Sequence, residues 1–171
     1  MEKKVVGHVL KGIIISLVLI VLDLVAGFAG FRTATWFRWI PLIILAIALI
    51  WACISYGTQM DHNVSFGSTF AHGFKTSVVI ACITVIFAII SLTLIFPETK
   101  EIALEQARKQ MEEQGRRDQD IEQGMEIVRK GFLTFAILGV VVYTLLVGAI
   151  ASLIGAAVTK KNPITPFGPQ P

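Results

Sequence analysis

Charged side chains are scarce in this sequence, and the scarcity is uneven. Only 16% of the 171 residues are Asp, Glu, Lys or Arg, against about 25% in a typical soluble domain. Nine of the 12 acidic residues lie between Glu98 and Glu126, and the other three are Glu2, Asp23 and Asp61. Most of the chain therefore lacks the charge that keeps a protein surface in water, whereas one segment is densely charged.

Several kinds of functional motif are also missing. No Lys/Arg stripe interleaved with aromatic residues suggests a nucleic-acid surface, so we expect no nucleic-acid partner. Without a phosphate loop, nucleophile elbow or zinc-protease helix, we predict a protein that is not an enzyme and needs no cofactor or metal. Cys53 and Cys82 form no disulfide framework. An antiparallel helix pair would bring them close, but we interpret them as small apolar core residues.

Long apolar runs are what the sequence has in abundance, since 54% of its residues are hydrophobic. Four runs are close to the roughly 20 helical residues that cross a hydrocarbon core of about 30 Å. Backbone groups cannot stay unpaired in hydrocarbon, so each run is predicted to be a helix. We predict one all-α membrane domain over residues 1–171, a polytopic four-transmembrane-helix bundle, with spans at 13–31, 39–56, 76–96 and 132–158.

The connections between these spans differ in kind. Residues 97–130 carry most of the charge and are predicted to form a helical hairpin that turns at Gly115 and exposes a solvated face. In the loop after the second span, Phe66, Phe70 and Phe74 are spaced four apart. That spacing is typical of a short interfacial helix, although a loop under the bundle would also fit. The proline-rich tail 162–171 is predicted to be disordered.

Basic residues near the span ends predict the orientation in the membrane. Three lysines precede the first span, and Arg32 and Arg38 follow it. The positive-inside rule then places both termini in the cytoplasm, with Lys160 and Lys161 at the membrane. Raw counting favours the reverse orientation, nine basic residues against six, because segment 97–130 holds seven. We give more weight to the first helix and to the Lys160–Lys161 pair.

Small residues at helical spacing predict where the helices pack. Close backbone approach, rather than burial of apolar area, drives helix association in lipid. Each span has one small or polar side and one bulky side, which is typical of a bundle whose bulky faces contact lipid. The residues that we predict to pack are Gly27, Gly30, Ala81, Ala88, Gly148 and Gly155.

Asp23 is the most unusual residue, because it lies near the middle of the first span. An aspartate at that depth costs about 2.5–3.5 kcal/mol on insertion scales. No basic residue lies at matching depth, so we predict that Asp23 is protonated or bonded to a hydroxyl, with Thr84 and Thr144 as candidate partners. It is then either a neutral group that joins helices or part of an intramembrane polar path.

Asp61, His62 and His72 are the remaining candidates for chemistry. Histidine titrates near neutral pH, so a metal site or a pH-sensing site is one interpretation. Two histidines ten residues apart with one acid are more typical of an interfacial polar region, which is the interpretation we favour.

Several stretches resemble one known family. They are Ser65–Phe74 before the third span, Phe96-Pro97 at its end, Ala151–Ala157 in the fourth span, and Lys160–Pro163 after it. Together they resemble a bacterial four-span membrane family catalogued as domain of unknown function 4199. The resemblance implies an inner-membrane location and four spans, and it implies no activity and no functional residue.

Two functions are expected from these observations. The first is a non-enzymatic inner-membrane protein, structural or partner-binding, that contacts a membrane-protein partner or a second copy of itself through its bundle or charged hairpin. The alternative is a small transporter or channel subunit with Asp23 in its path.

Overall fold

Five α-helices account for most of the chain in the computed structural model, which describes residues 6–32, 34 and 36–162. Four helical stretches are long and apolar enough to cross a membrane, and the described residues contain no strand. The predicted all-α, polytopic membrane bundle is therefore confirmed. The helices are α1 (His8–Phe28), α2 (Trp39–Gln59), α3 (Phe66–Ile90), continued by a π-helical segment (Ser91–Ile95), α4 (Glu98–Glu113) and α5 (Asp118–Val158).

The apolar side chains point outward to an extent that water would not tolerate. Val21, Phe28 and Leu146, for example, are 58%, 77% and 59% exposed. Soluble monomers rarely expose contiguous apolar surface on this scale. Lipid accepts such faces, since its tails are as apolar as the side chains.

The third helix begins at Phe66 rather than at Thr76. Ser65 caps it, because its hydroxyl accepts a hydrogen bond from the backbone N–H of Ser68 at 3.1 Å. The region between the second and third spans is therefore neither a separate interfacial helix nor a loop up to residue 75. Residues 66–75 form the first turns of α3, where Phe70 and Phe74 stack with ring centroids 5.8 Å apart.

The described residues form two compact units. The first comprises α1, α2, the part of α3 up to Ile80 and the part of α5 from Thr144. Its apolar core consists of Ile15, Leu45, Leu49, Ile80 and Ala151. The second unit, Ala81–Tyr143, contains the hairpin of α4 and the first part of α5, whose inner face buries Leu104 and Ile121.

Glycines bring the helices of the first unit into close contact. A Cβ at Gly155 would lie 2.8 Å from the Cβ of Cys53, and one at Gly148 would collide with Ser77. Gly73 has the same role, since its Cβ would lie 2.5 Å from the Cys53 sulfur. Among the other predicted packing residues, Ala81 is buried, Ala88 is half-buried, and Gly27 lies in the last turn of α1.

The prediction that Gly30 packs against a helix is wrong. Gly30 follows the end of α1 with φ +74°, and the described residues leave open space where its Cβ would stand. The N–H of Gly30 bonds the carbonyl of Gly27, and the N–H of Phe31 bonds that of Ala26. These two bonds form a Schellman motif, in which glycine is favoured because it adopts positive φ without strain.

The tail predicted to be disordered, 162–171, lies outside the described residues except for Asn162. The Asn162 side chain donates a hydrogen bond to the Asp61 carbonyl at 2.9 Å, and its backbone N–H donates to the His62 carbonyl at 3.0 Å. The end of α5 is thus joined to the loop between α2 and α3.

Candidate functional site

Asp23 forms an ion pair with Arg32. The Arg32 Nε lies 3.2 Å from Asp23 Oδ1, and the two side chains are 22% and 28% exposed. The Schellman turn at Gly30 reverses the chain after α1, so the long Arg32 side chain reaches back along the helix. The prediction that no basic residue neutralises Asp23 is therefore wrong. Arg32 follows the end of α1 in sequence, and the turn at Gly30 lets its side chain return to the depth of Asp23.

The two threonines predicted to bond Asp23 belong to different units. Thr84 belongs to the second unit, where its hydroxyl donates to the Ala81 carbonyl of its own helix at 3.2 Å. Thr144 is buried in the first unit. The ion-pair partner of the Asp23 carboxylate is the Arg32 guanidinium.

Replacing Asp23 by asparagine is expected to lower the free energy of unfolding by about 1–2 kcal/mol, between the values for exposed and buried pairs. The loss arises because Arg32 keeps its charge without a counter-charge. Unfolding by SDS in mixed micelles measures it, and a double-mutant cycle with Arg32→Gln isolates the pair. Additive effects of the two substitutions would show that the pair contributes nothing.

A buried lysine near the start of α1 is the centre of a second polar cluster. Lys11 is 2% exposed, although the side chain of a lysine near a helix end ordinarily reaches to water. Its Nζ donates to the carbonyl of Ala52 in α2 at 3.1 Å and lies 3.4 Å from Nε2 of His72 in α3. One ammonium therefore contacts two neighbouring helices.

The His72 ring is enclosed by aromatic side chains. It stacks on Tyr56 with centroids 4.2 Å apart and an interplanar angle of 12°, and His8 meets its edge at 6.0 Å. The indole of Trp51 lies 6.0 Å from Lys11 Nζ, within the range of a weak cation–π contact. We call His8, Lys11, Tyr56 and His72 the Lys11 cluster.

Tight packing lies directly beside the cluster. Cys53 is buried, and its thiol donates to the Thr69 carbonyl on α3 at 3.7 Å. Gly73 on α3 and Gly155 on α5 face Cys53. A side chain at either glycine would collide with Cys53. Cys82 is also a free thiol and is exposed.

His62 and Asp61 have structural roles at the end of α2. Both adopt positive φ, 64° and 49°, and His62 Nδ1 lies 3.1 Å from the Lys160 carbonyl. Among the described residues, no group of three His, Cys, Asp or Glu side chains is arranged to hold a metal ion. His72 lies with Lys11 instead of sharing a site with these two residues.

Lys11, His8 and Tyr56 are not recognisable as site residues from the apolar pattern or from known motifs. In the sequence, Lys11 is one of three lysines that precede the first span, where a lysine ordinarily marks the membrane boundary. The sequence does show the helical spacing that places Lys11 on the same face of α1 as Ile15 and Ala26, and the structure shows that this face is buried.

The second unit contains a cleft between the arms of its hairpin. The cleft encloses about 230 Å³ and is lined by Ile121 and Met125 with four charged residues, Arg108, Glu122, Glu126 and Arg129. Ile121 is buried, whereas the four charged residues are exposed. The cleft thus has an apolar floor and a rim that carries both signs of charge.

Exposed ion pairs follow the two arms of the hairpin. Lys109 lies 2.9 Å from Glu105, and its hydrogen bond lowers the pKa of that carboxyl below its ordinary value. Arg108 pairs with Glu112, and Lys130 pairs with Glu126. Exposed pairs of this kind contribute little to stability.

The model of one protein family matches residues 10–161, and its description is Protein of unknown function (DUF4199). The matched range includes the stretches from Ser65 to Phe74 and from Ala151 to Ala157, so the resemblance seen in the sequence is confirmed. No curated protein and no solved structure matches the chain.

Proposed function

We propose that this chain, which belongs to the DUF4199 family, is a non-enzymatic protein of the bacterial inner membrane that binds a protein partner through its charged hairpin. The observation that carries the proposal is the cleft between α4 and α5. An apolar floor inside a charged, water-facing rim is the usual arrangement of a protein–protein interface.

The charges of the hairpin favour a protein over other partners. Segment 97–130 contains nine acidic and seven basic residues. A surface that is slightly negative overall is repelled by anionic lipid and by phosphate backbones. A rim with both signs instead complements a polar protein surface, which also gains specificity from matched charges.

Charge reversal at the rim is expected to remove partner binding. A photo-crosslinking residue in place of Glu122, an exposed residue of the cleft lining, would capture the partner in native membranes. The Arg108→Glu/Arg129→Glu variant is expected to lower the crosslinking yield by about tenfold, because like charges then face each other.

The matched control is Lys109→Glu/Lys130→Glu, which changes the net charge equally at two residues that do not line the cleft. This control is expected to keep most of the yield. Equal losses in both variants, or no adduct in the chain that carries the crosslinking residue alone, would contradict the proposal. An adduct containing two copies of this chain would identify the partner as a homo-oligomer.

The alternative, a transporter or channel subunit with Asp23 in its path, has less support. The Arg32 guanidinium gives the Asp23 carboxylate a fixed counter-charge, so Asp23 does not require a mobile ion or proton. Transport lost in Asp23→Asn, with folding intact, would favour the alternative. No transport by the unaltered chain would favour the partner-binding proposal, and transport that Asp23→Asn leaves unchanged would exclude Asp23 from the path.

We propose that both termini face the cytoplasm, which places the hairpin on the opposite side of the membrane after three crossings. The support is the basic residues before α1 and the Lys160–Lys161 pair after α5. With Cys82 replaced by serine, a membrane-impermeant maleimide is expected to label Lys109→Cys in intact spheroplasts and Lys160→Cys only after lysis. The reverse pattern would overturn this orientation.

A further inference from the structure

We propose that Nε2 of His72 is a proton-binding site, and that a proton bound there displaces the Lys11 ammonium and loosens the contacts that it makes with α2 and α3. This inference rests on the Lys11 cluster alone. It does not depend on the hairpin or on the proposed partner.

The hydrogen-bond chemistry of the pair fixes which atom accepts. An ammonium has three donors and no acceptor, so in the contact of 3.4 Å Lys11 Nζ donates and His72 Nε2 accepts. His72 is then the neutral tautomer with its proton on Nδ1. The lone pair on Nε2 is the one basic position that the contact uses, and a proton from water can compete for it.

The ionisable groups around Lys11 and His72 determine the effect of a proton on His72. The ionisable groups facing the pair are His8 on α1, Cys53 and Tyr56 on α2, and Lys75 on α3, while α5 has none between Thr144 and Val158. Among the described residues that hydrogen-bond to or stack on Lys11 or His72, none is a carboxylate. A second positive charge there would face no counter-charge from the part of the chain that the structure describes.

Protonation therefore converts an attraction into a repulsion. The imidazolium has donors on both nitrogens, so the hydrogen bond to Lys11 is lost and two cations stand 3.4 Å apart. The repulsion between unit charges at this distance is strong in a poorly solvated site. Lys11 has a long, flexible side chain that moves towards water, and α1 then loses its bond to the Ala52 carbonyl.

The buried thiol of Cys53 reports this change. Cys53 follows Ala52 directly in α2, and its sulfur donates to α3 at Thr69. In a Cys82→Ser background, the full chain in nanodiscs is treated with a dipyridyl disulfide at about pH 8 and about pH 3.5. The lower pH lies well below the ordinary range of histidine, because burial beside the Lys11 ammonium opposes a second positive charge. Each rate is divided by that of the unfolded chain at the same pH.

The normalised rate is expected to rise about tenfold or more on acidification in the unaltered protein. His72→Gln is expected to show no rise, because the glutamine amide oxygen accepts from Lys11 and does not titrate. His62→Gln removes another histidine and is expected to respond like the unaltered protein. A constant rate in the unaltered protein, or a full rise in His72→Gln, would overturn the proposal.

Lys11→Met provides a second test if His72→Gln does not fold. It removes the ammonium and leaves His72 in place, so protonation no longer creates a pair of cations. The acid-dependent rise is expected to disappear. A rise as large as that of the unaltered chain would show that Lys11 has no part in it.

Discussion

Replacing Gly155 by leucine is expected to be the most damaging single substitution in the first unit. A Cβ at this position would stand 2.8 Å from the Cβ of Cys53 and 3.2 Å from the Cα of Ile50. The second contact is with the backbone of α2, so a rotamer change cannot relieve it. The helices must separate, and we expect a loss of about 3 kcal/mol or more in the free energy of unfolding.

Gly139→Leu is the matched control for this prediction. Gly139 lies in the same helix, and a Cβ there would meet none of the described residues within 4 Å. Its leucine variant is expected to stay within about 0.5 kcal/mol of the unaltered chain. SDS titration in mixed micelles gives both values, and size-exclusion chromatography in detergent gives the monodisperse fraction. Equal behaviour of the two variants would show that the close contact at Gly155 is not needed for folding.

Replacing His72 by leucine is expected to cost about 3 kcal/mol, the second largest effect. The substitution leaves the buried Lys11 ammonium with the Ala52 carbonyl as its remaining hydrogen-bond acceptor. A buried charged group that loses a partner bears most of its desolvation cost. His72→Gln keeps an acceptor at this position and is expected to cost less than about 1 kcal/mol at neutral pH.

The double variant Lys11→Met/His72→Leu separates this cause from simple loss of packing. Replacing both partners of a buried polar contact by apolar groups is often close to neutral. The double variant is therefore expected to recover most of the stability lost in His72→Leu, as measured by the same SDS titration. A double variant as unstable as His72→Leu would mean that the ring packs on Tyr56 in a way that leucine cannot replace.

The spans were predictable from the sequence because hydrocarbon requires a crossing segment to be helical and almost entirely apolar. Any uncharged run of sufficient length meets that requirement. The start of α3 was not predictable in this way. Ser68, Thr69 and His72 are polar and interrupt the apolar run, yet they are helical because Ser65 caps the helix and neighbouring helices bury Thr69 and His72.

The polar pairs within the membrane were harder to predict, because each depends on a contact between segments that are distant along the chain. Asp23 was identified from its depth alone, and its partner Arg32 becomes close only through the turn at Gly30. Lys11 resembled an ordinary boundary lysine. Its burial is decided by Ala52 and His72, which are 41 and 61 residues away in sequence.

The π-helical segment after α3 has a consequence for comparing relatives of this chain. The N–H of Phe96 bonds the carbonyl five residues back, at Ser91, so this turn holds one residue more than an α-helical turn. Deleting one residue from Ser91–Ile95 would convert the π-helical turn into an α-helical turn and would leave the helices before and after it in place. Where two homologous sequences differ in length by one near this point, the gap in their alignment belongs inside the wide turn.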